Sequence, residues 1–234
     1  MIKAIIFDLD GTLADTMPDL QTAMNGMLTR LGYKTRTRAD LLKAINNGAR
    51  EFVRRSLPRD VQNVDFILQS AIETYEEEYS LCYTQKTAPY EDIEALLMNL
   101  RTMGIKISVL SNKQDIFVKD IIGKLFDKKL FSCVQGQAKM PTKPNPTSAL
   151  MIAKSMGVKP SRCLFIGDSD VDIQTAKNAG MRSVGVCWGY RERKVLEDAG
   201  ADFIAKEPND ICDIVNSLKD EDEKKRRRTP EQGK

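Results

Sequence analysis

The sequence contains no histidine. That absence removes a large share of enzyme chemistry. Serine–histidine–aspartate and cysteine–histidine nucleophile systems, HExxH zinc sites and phosphohistidine transfer are all excluded. There is no GxxxxGK[ST] loop to cradle a nucleoside triphosphate. The five cysteines (Cys82, Cys133, Cys163, Cys187 and Cys212) form no CxxC pair and are odd in number, so they read as reduced thiols, with Cys163 and Cys187 as core filler. No apolar run approaches the ~20 residues that cross a bilayer. The chain opens at once on a strand-like run, which argues against a signal or transit peptide. A cytoplasmic protein with no membrane partner is expected. The chemistry left to it rests on carboxylates, hydroxyls, lysine and a hard metal ion.

The composition is otherwise ordinary. In 234 residues, 41% hydrophobic and 29% charged, there is room for one large α/β unit or for a core carrying a smaller insertion. A net charge of +3 is too small to demand a nucleic-acid partner. The tail Lys219–Lys234, "KDEDEKKRRRTPEQGK", has no apolar residue to bury and reads as a solvated, disordered extension.

Short β-branched runs recur with amphipathic stretches between them. "KAIIF" (3–7), "IKISVLS" (105–111), "FSCVQG" (131–136), "RCLFIGD" (162–168), "RSVGVC" (182–187) and "ADFIA" (201–205) read as buried parallel strands. Helical patterns cover 90–103, 114–124, 146–156, 170–179 and 191–198. This alternation predicts an α/β fold: a doubly wound, Rossmann-like parallel sheet with helices on both faces. The interval from Asp15 to Ala88 breaks the pattern, with helical periodicity and no convincing strand. We therefore expect residues 1–15 and 89–218 to form the core, 16–88 an all-α helical cap, and 219–234 the tail.

The stretch "IIFDLDGTLADT" raises the functional question. Two carboxylates, Asp8 and Asp10, stand at the end of a strand, on one side of it, where they repel each other and lose hydration. Alone, that pattern reads as an ordinary strand exit. Later strand ends supply matching groups. "SVLSNK" ends in Ser111 and Asn112, donors for phosphate-like oxygens, and "PTKPNP" holds Lys143 in a stiff proline-flanked loop. "LFIGDSDVDI" brings Asp168, with Asp172 one helical turn on. Gathered at one sheet edge, these groups make a Mg²⁺- and phosphate-binding pocket.

These stretches, in this order, resemble the haloacid dehalogenase-like superfamily of aspartate-nucleophile phosphatases over about residues 2–216. "LDGTLADTMPDL", "NNGAREFV", "SNK", "KPNP", "GDSDVDIQTAKNAGM" and "GVCWGY" look most like its phosphoglycolate phosphatase branch, and 16–88 matches that branch's helical cap. The resemblance implies that Asp8 is the nucleophile and Asp10 the acid/base, with Lys143 catalytic as well. It implies Mg²⁺ on the Asp8 and Asp168 side chains and the Asp10 carbonyl. Ser111 and Lys143 would hold phosphate oxygens, Thr12 would orient Asp10, and Asp172 would support the metal's water shell or Lys143. Arg50, in the "NNGARE" turn, is either a clamp for a substrate carboxylate or a surface arginine. Lys113 reads as a solvated helix-start residue, Lys139 as the less favoured rival of Lys143, and Trp188 as rim packing.

The expected activity is Mg²⁺-dependent hydrolysis of a small phosphomonoester through an aspartyl phosphate, with 2-phosphoglycolate the first candidate. The partner is then a small phosphorylated metabolite, and the protein a monomer or homodimer. A nucleotidase or another metabolite phosphatase is the neighbouring reading. A phosphosugar mutase is a further one, which Thr12 disfavours because related mutases tend to lack it. A binding module working through the basic tail is the non-enzymatic alternative.

Overall fold

The computed structural model describes residues 1–45 and 48–228. Strand β1 (Ala4–Phe7) leads into β2 (Ala14–Asp15), then helices α1 (Met17–Arg30), α2 (Arg38–Ala44), α3 (Gly48–Ser56) and α4 (Asp65–Cys82). After β3 (Ala88–Pro89) the chain alternates: α5 (Ile93–Thr102), β4 (Lys106–Gln114), α6 (Asp115–Leu125), β5 (Phe131–Gln137) and α7 (Thr147–Ser155). It continues with β6 (Cys163–Gly167), α8 (Asp170–Asn178), β7 (Arg182–Val186), α9 (Arg193–Asp198), β8 (Phe203–Ala205) and α10 (Asp210–Arg228).

Six strands form one parallel sheet in the order β5-β4-β1-β6-β7-β8. Alternate residues of β1 serve opposite faces, as the two-residue strand period requires. Ile5 and Phe7 join a cluster with α5, α6 and α10, through Leu97, Ile121 and Ile211 among others. Ala4 and Ile6 join a second cluster with Ile152 of α7 and Ala176 of α8. Burial on both faces is why these strands read as unbroken apolar runs. The doubly wound α/β fold expected from the sequence is the observed one.

Helices α1–α4 bury an apolar cluster of their own, built on Met24, Met27, Leu41, Phe52, Leu68 and Tyr75. They are all inserted between β2 and β3, two strands the sequence did not suggest. Ala14 pairs with Pro89 and Asp15 with Ala88, antiparallel. Two-residue strands, one ending in proline, carry no alternation to detect. The buried Asp19 carboxylate of α1 accepts the Lys86 N–H, the Thr87 N–H and the Thr87 hydroxyl at 2.8–3.0 Å, so the returning chain is tied to the start of the insertion.

The tail corrects an expectation. Disorder was expected from Lys219, but α10 runs on to Arg228. The lysines, arginines and glutamates of this stretch are good helix formers, and extending an existing helix avoids the cost of nucleation. Residues 229–234 and the Asn46–Asn47 pair of the "NNGARE" turn lie outside the described residues. Among the described residues, no helix is long and apolar enough to cross a membrane.

Candidate active site

β1 has β4 on one side and β6 on the other, so the chain reverses its winding direction at β1. Open α/β sheets bind ligands at the carboxyl ends of strands beside such a switch. Asp8 follows β1 directly, and its N–H donates to Ile166 O at 2.8 Å, carrying the β1–β6 pairing past the strand. Asp168 follows β6, and Ser111 lies near the end of β4. Three neighbouring strands thus deliver Ser111, Asp8 and Asp168 to one edge.

The turn after Asp10 depends on Gly11, whose φ of +82° suits glycine. A Cβ there would fall 2.2 Å from Asp168 Oδ2, so the absence of a side chain also admits that carboxylate. Gly189, in the loop after β7, is as close on the other side: its Cβ would meet Asp168 Cβ at 2.2 Å and Gly11 O at 2.4 Å. The Tyr190 N–H then donates to Asp168 Oδ2 at 2.6 Å.

Lys143 is the buried cation of the site, 4% exposed. Its Nζ donates to Asp172 Oδ1 at 2.6 Å and lies 2.8 Å from Asp8 Oδ1. The second contact is an ion pair without hydrogen-bond direction, so Asp8 Oδ1 stays buried with no hydrogen bond. Burial alone would push the Lys143 ammonium down, but Asp172 and Asp8 outweigh it and hold the group above its usual range. Lys139, the rival, is exposed. Asp172 is fully engaged, because Oδ2 accepts the Ser169 hydroxyl at 2.6 Å and the Ser169 N–H at 3.2 Å. Its role is therefore to hold Lys143 and close the first turn of α8. Asp170 is an exposed first-turn acid of that helix.

Burial pushes the Asp8 carboxyl up to about 7, with Lys143 opposing and Asp172 and Asp10 adding. Burial, Asp172 and Asp8 likewise hold Asp168 well above the carboxylate range, against the Tyr190 N–H and Lys143. Carboxylate oxygens of Asp8, Asp168 and Asp172 lie within 4.8 Å of one another. With Asp172 engaged, Asp8 and Asp168 remain. Two buried carboxylates this close, with one ammonium shared between Asp8 and Asp172, fit a hard divalent cation.

Three expectations are corrected, those for Thr12, Lys113 and Arg50. Thr12 does not orient Asp10 or reach toward a substrate: its hydroxyl is buried without a hydrogen-bond partner, while its carbonyl accepts the Trp188 indole N–H at 3.0 Å. Thr16 takes that place, donating its hydroxyl to Asp10 Oδ1. The chain doubles back between Gly11 and Ala14, which turns Thr12 inward and returns Thr16 to the site. Asn112 holds the backbone of Lys143, accepting its N–H at 2.7 Å and donating to its carbonyl at 3.0 Å. It positions the lysine, with one amide N–H left toward the cavity it lines. Lys113 is not solvated. Its side chain is 7% exposed, paired with Asp10 Oδ1, and its Nζ sits 5.1 Å from the Tyr79 ring centroid. The signal was present, since Lys113 stands two residues after Ser111 on the same strand. Arg50 lies exposed on α3 and does not line the cavity, although its neighbours Gly48, Ala49 and Phe52 do. Trp188 stays off the cavity wall, as expected of rim packing.

The cavity holds about 100 Å³ between these groups and the inserted helices. One water needs about 10–15 Å³ of such room, so the space takes a group several waters in size. The insertion is tied over the site in two places. Gln114 Nε2 donates to Glu76 Oε1 of α4, and the Arg191 guanidinium donates to the carbonyls of Leu42 and Ile45.

A family model for haloacid dehalogenase-like hydrolases matches residues 5–186. A phosphoglycolate phosphatase of Neisseria meningitidis is 31% identical over 228 residues, covering 95% of this chain and 97% of that protein. Another from Pseudomonas putida is 30% identical over 220 residues, covering 92% and 78%. A crystal structure of a predicted phosphoglycolate phosphatase from Haemophilus somnus superposes with a TM-score of 0.84 at 26% identity, covering 92% of this chain and 98% of that one. The chain belongs to the haloacid dehalogenase-like hydrolase family, and within it resembles the phosphoglycolate phosphatases.

Proposed function

We propose that this phosphatase, working with Mg²⁺, passes the phosphoryl group of a small phosphomonoester first to Asp8 and then to water. The core of residues 1–15 and 89–218 carries the chemistry, and residues 16–88 act as the cap. One observation carries the reading: Asp8 is a buried carboxylate whose Oδ1 lies 2.8 Å from the ammonium of Lys143, beside Asp168. 2-Phosphoglycolate, the substrate in the relatives' names, is the reference compound for assay.

Asp8 attacks phosphorus, and the ester oxygen departs with a proton from Asp10. A water then attacks the aspartyl phosphate, giving its proton to Asp10 and returning Asp8. Asp10 is held for this work by Thr16, by Lys113 and, at 3.5 Å, by the Ser111 hydroxyl. Lys143 meets the phosphoryl oxygens as charge builds on them, and Asp172, Ser169 and Asn112 fix where its ammonium lies. Asp8 and Asp168 would hold Mg²⁺ with the Asp10 carbonyl. Bound there, the cation offsets the repulsion between the Asp8 carboxylate and the phosphate dianion. Crystals soaked with Mg²⁺ and beryllium fluoride should show the adduct on an Asp8 carboxylate oxygen. Density on any other residue would overturn the assignment.

The raised carboxyls make a second prediction. Metal-free protein holds the Asp8 proton to about 7, whereas the unfolded chain releases it near 3.8. Folding therefore takes up a proton between these values, and stability drains away as pH climbs through them. Asp168 acts in the same direction. A divalent cation binds the deprotonated pair, so Mg²⁺ should raise the melting temperature more at pH 8 than at pH 5. Scanning fluorimetry with EDTA or Mg²⁺ measures this, and EDTA should silence phosphate release until Mg²⁺ is returned.

A further inference from the structure

Resting on the phosphatase reading, we propose that Lys113 pairs with a carboxylate on the leaving group. It thereby selects a small phosphorylated carboxylic acid, such as 2-phosphoglycolate, over neutral esters of the same size. Among the described residues, two ammoniums line the cavity, Lys143 and Lys113. Lys143 belongs to the phosphoryl end, between Asp8 and Asp172. Lys113 belongs to the other side of the scissile bond. Its Nζ pairs with Asp10 Oδ1, and in that reading Asp10 hands a proton to the departing ester oxygen. An acid acting on that oxygen must come within hydrogen-bond reach of it. The Lys113 ammonium therefore stands beside whatever the ester oxygen carries. In 2-phosphoglycolate a single methylene joins that oxygen to the carboxylate.

Holding Asp10 does not by itself account for this ammonium. Asp10 Oδ1 already accepts the Thr16 hydroxyl, and the Ser111 hydroxyl approaches Oδ2 at 3.5 Å. A lysine carries three N–H donors, and among the described residues Asp10 is the one acid that Lys113 meets. The Tyr79 ring lies against the ammonium, its centroid 5.1 Å from Nζ, and such a face steadies a cation without offering it an oxygen. The Lys113 N–H donates to Ser111 Oγ at 3.2 Å, which fixes the spacing between the expected phosphate donor and this side chain. Donor capacity is left over at a cavity wall, on the side where the leaving group sits.

The inserted helices supply no rival. Among the described residues they contribute no lysine or arginine to the cavity wall, and Arg50 is exposed and off it. Their wall is apolar at Leu20, Ile45, Ala49 and Phe52. An ion pair formed beside such a wall is screened less than one in bulk water. Glu76, the acid that α4 adds there, is held by Gln114. Its charge repels a leaving-group carboxylate and leaves the Lys113 end of the cavity as the favourable one.

The test compares kcat/KM for 2-phosphoglycolate and for 2-hydroxyethyl phosphate, in which a neutral hydroxymethyl group replaces the carboxylate. Wild type should prefer 2-phosphoglycolate by about tenfold or more. Lys113→Met keeps most of the stem and removes the charge, so it should cut that preference about tenfold, chiefly through KM for 2-phosphoglycolate. Whatever Lys113 does for Asp10 bears on both esters and cancels in the ratio. Crystals of Asp8→Asn with Mg²⁺ and 2-phosphoglycolate should place the carboxylate within hydrogen-bond distance of Lys113 Nζ, a readout that does not depend on the Lys113 variant folding. The inference is overturned if wild type prefers 2-phosphoglycolate by less than about threefold, or if Lys113→Met moves the ratio by less than about threefold. A carboxylate seated on any other cation overturns it as well. Failure of the phosphatase reading is distinct: folded wild type with Mg²⁺ would then release phosphate from neither ester nor from para-nitrophenyl phosphate.

Discussion

Asp8→Asn cuts phosphate release by at least about 10³-fold while the protein stays folded. The amide has nearly the volume of the carboxylate, so the packing around β1 and β6 survives. What disappears is the carboxylate charge that the proposed attack on phosphorus requires. Folding should not suffer. Asp8 Oδ1 makes no hydrogen bond and its burial is costly enough to push the carboxyl up to about 7. Lys143 keeps its stronger partner, Asp172, at 2.6 Å. In EDTA at pH 8 the variant should melt no lower than wild type, because it no longer buries a carboxylate whose desolvation outweighs its pairing with Lys143. Steady-state phosphate release and a circular-dichroism melt read the two halves separately. Activity within about tenfold of wild type, in folded protein, would remove Asp8 from the role of nucleophile.

Lys143→Ala should lose at least about 10²-fold in kcat/KM, the scale for deleting one donor that meets developing charge. Here stability falls too. Without the ammonium, Asp8 and Asp172 face each other in a buried space with no cation between them. Breaking a buried pair by removing one partner costs about 3–5 kcal/mol. The loss of activity should therefore be measured at a temperature where far-ultraviolet dichroism shows the variant folded, and Mg²⁺ should restore part of the melting temperature. Lys139→Ala is the control. That side chain is exposed, and its replacement should leave turnover within about twofold of wild type. Equal losses from both variants would show that the loop, and not the Lys143 ammonium, is what matters.

The parts of this site that were legible in the sequence share one property: each follows directly from a strand. β1, β4 and β6 are apolar on both faces, so their runs stand out, and the polar residues that end them, Asp8, Ser111 and Asp168, are marked by the contrast. Lys143 was marked by its prolines. The illegible parts depend on how distant segments meet. Thr16 and Thr12 are equally plausible neighbours for Asp10 until the turn at Gly11 is built. Asn112 has the chemistry of a phosphate donor, and only the folded loop shows that its amide also holds the Lys143 backbone. Lys113 looked like a helix-start lysine because the sequence does not show Tyr79 arriving over it from α4. Glu76 sat in a run of glutamates whose common reading is a solvated helix face, and nothing local separates it from Glu77 and Glu78. The helical stretch of the tail was missed for a different reason: lack of an apolar stripe excludes packing, but not helix.

The antiparallel pair Ala14–Asp15 and Ala88–Pro89 lets the chain leave the sheet and come back at a single doorway, bolted by Asp19. No strand of the parallel sheet draws its neighbour from beyond that doorway. The seventy-odd residues outside it can therefore change length without altering the order of the sheet, although Thr16 and Tyr79 tie their two ends of the insertion to Asp10 and Lys113. The sheet can thus be assembled without waiting for the insertion, and the insertion needs only one point of attachment to reach it.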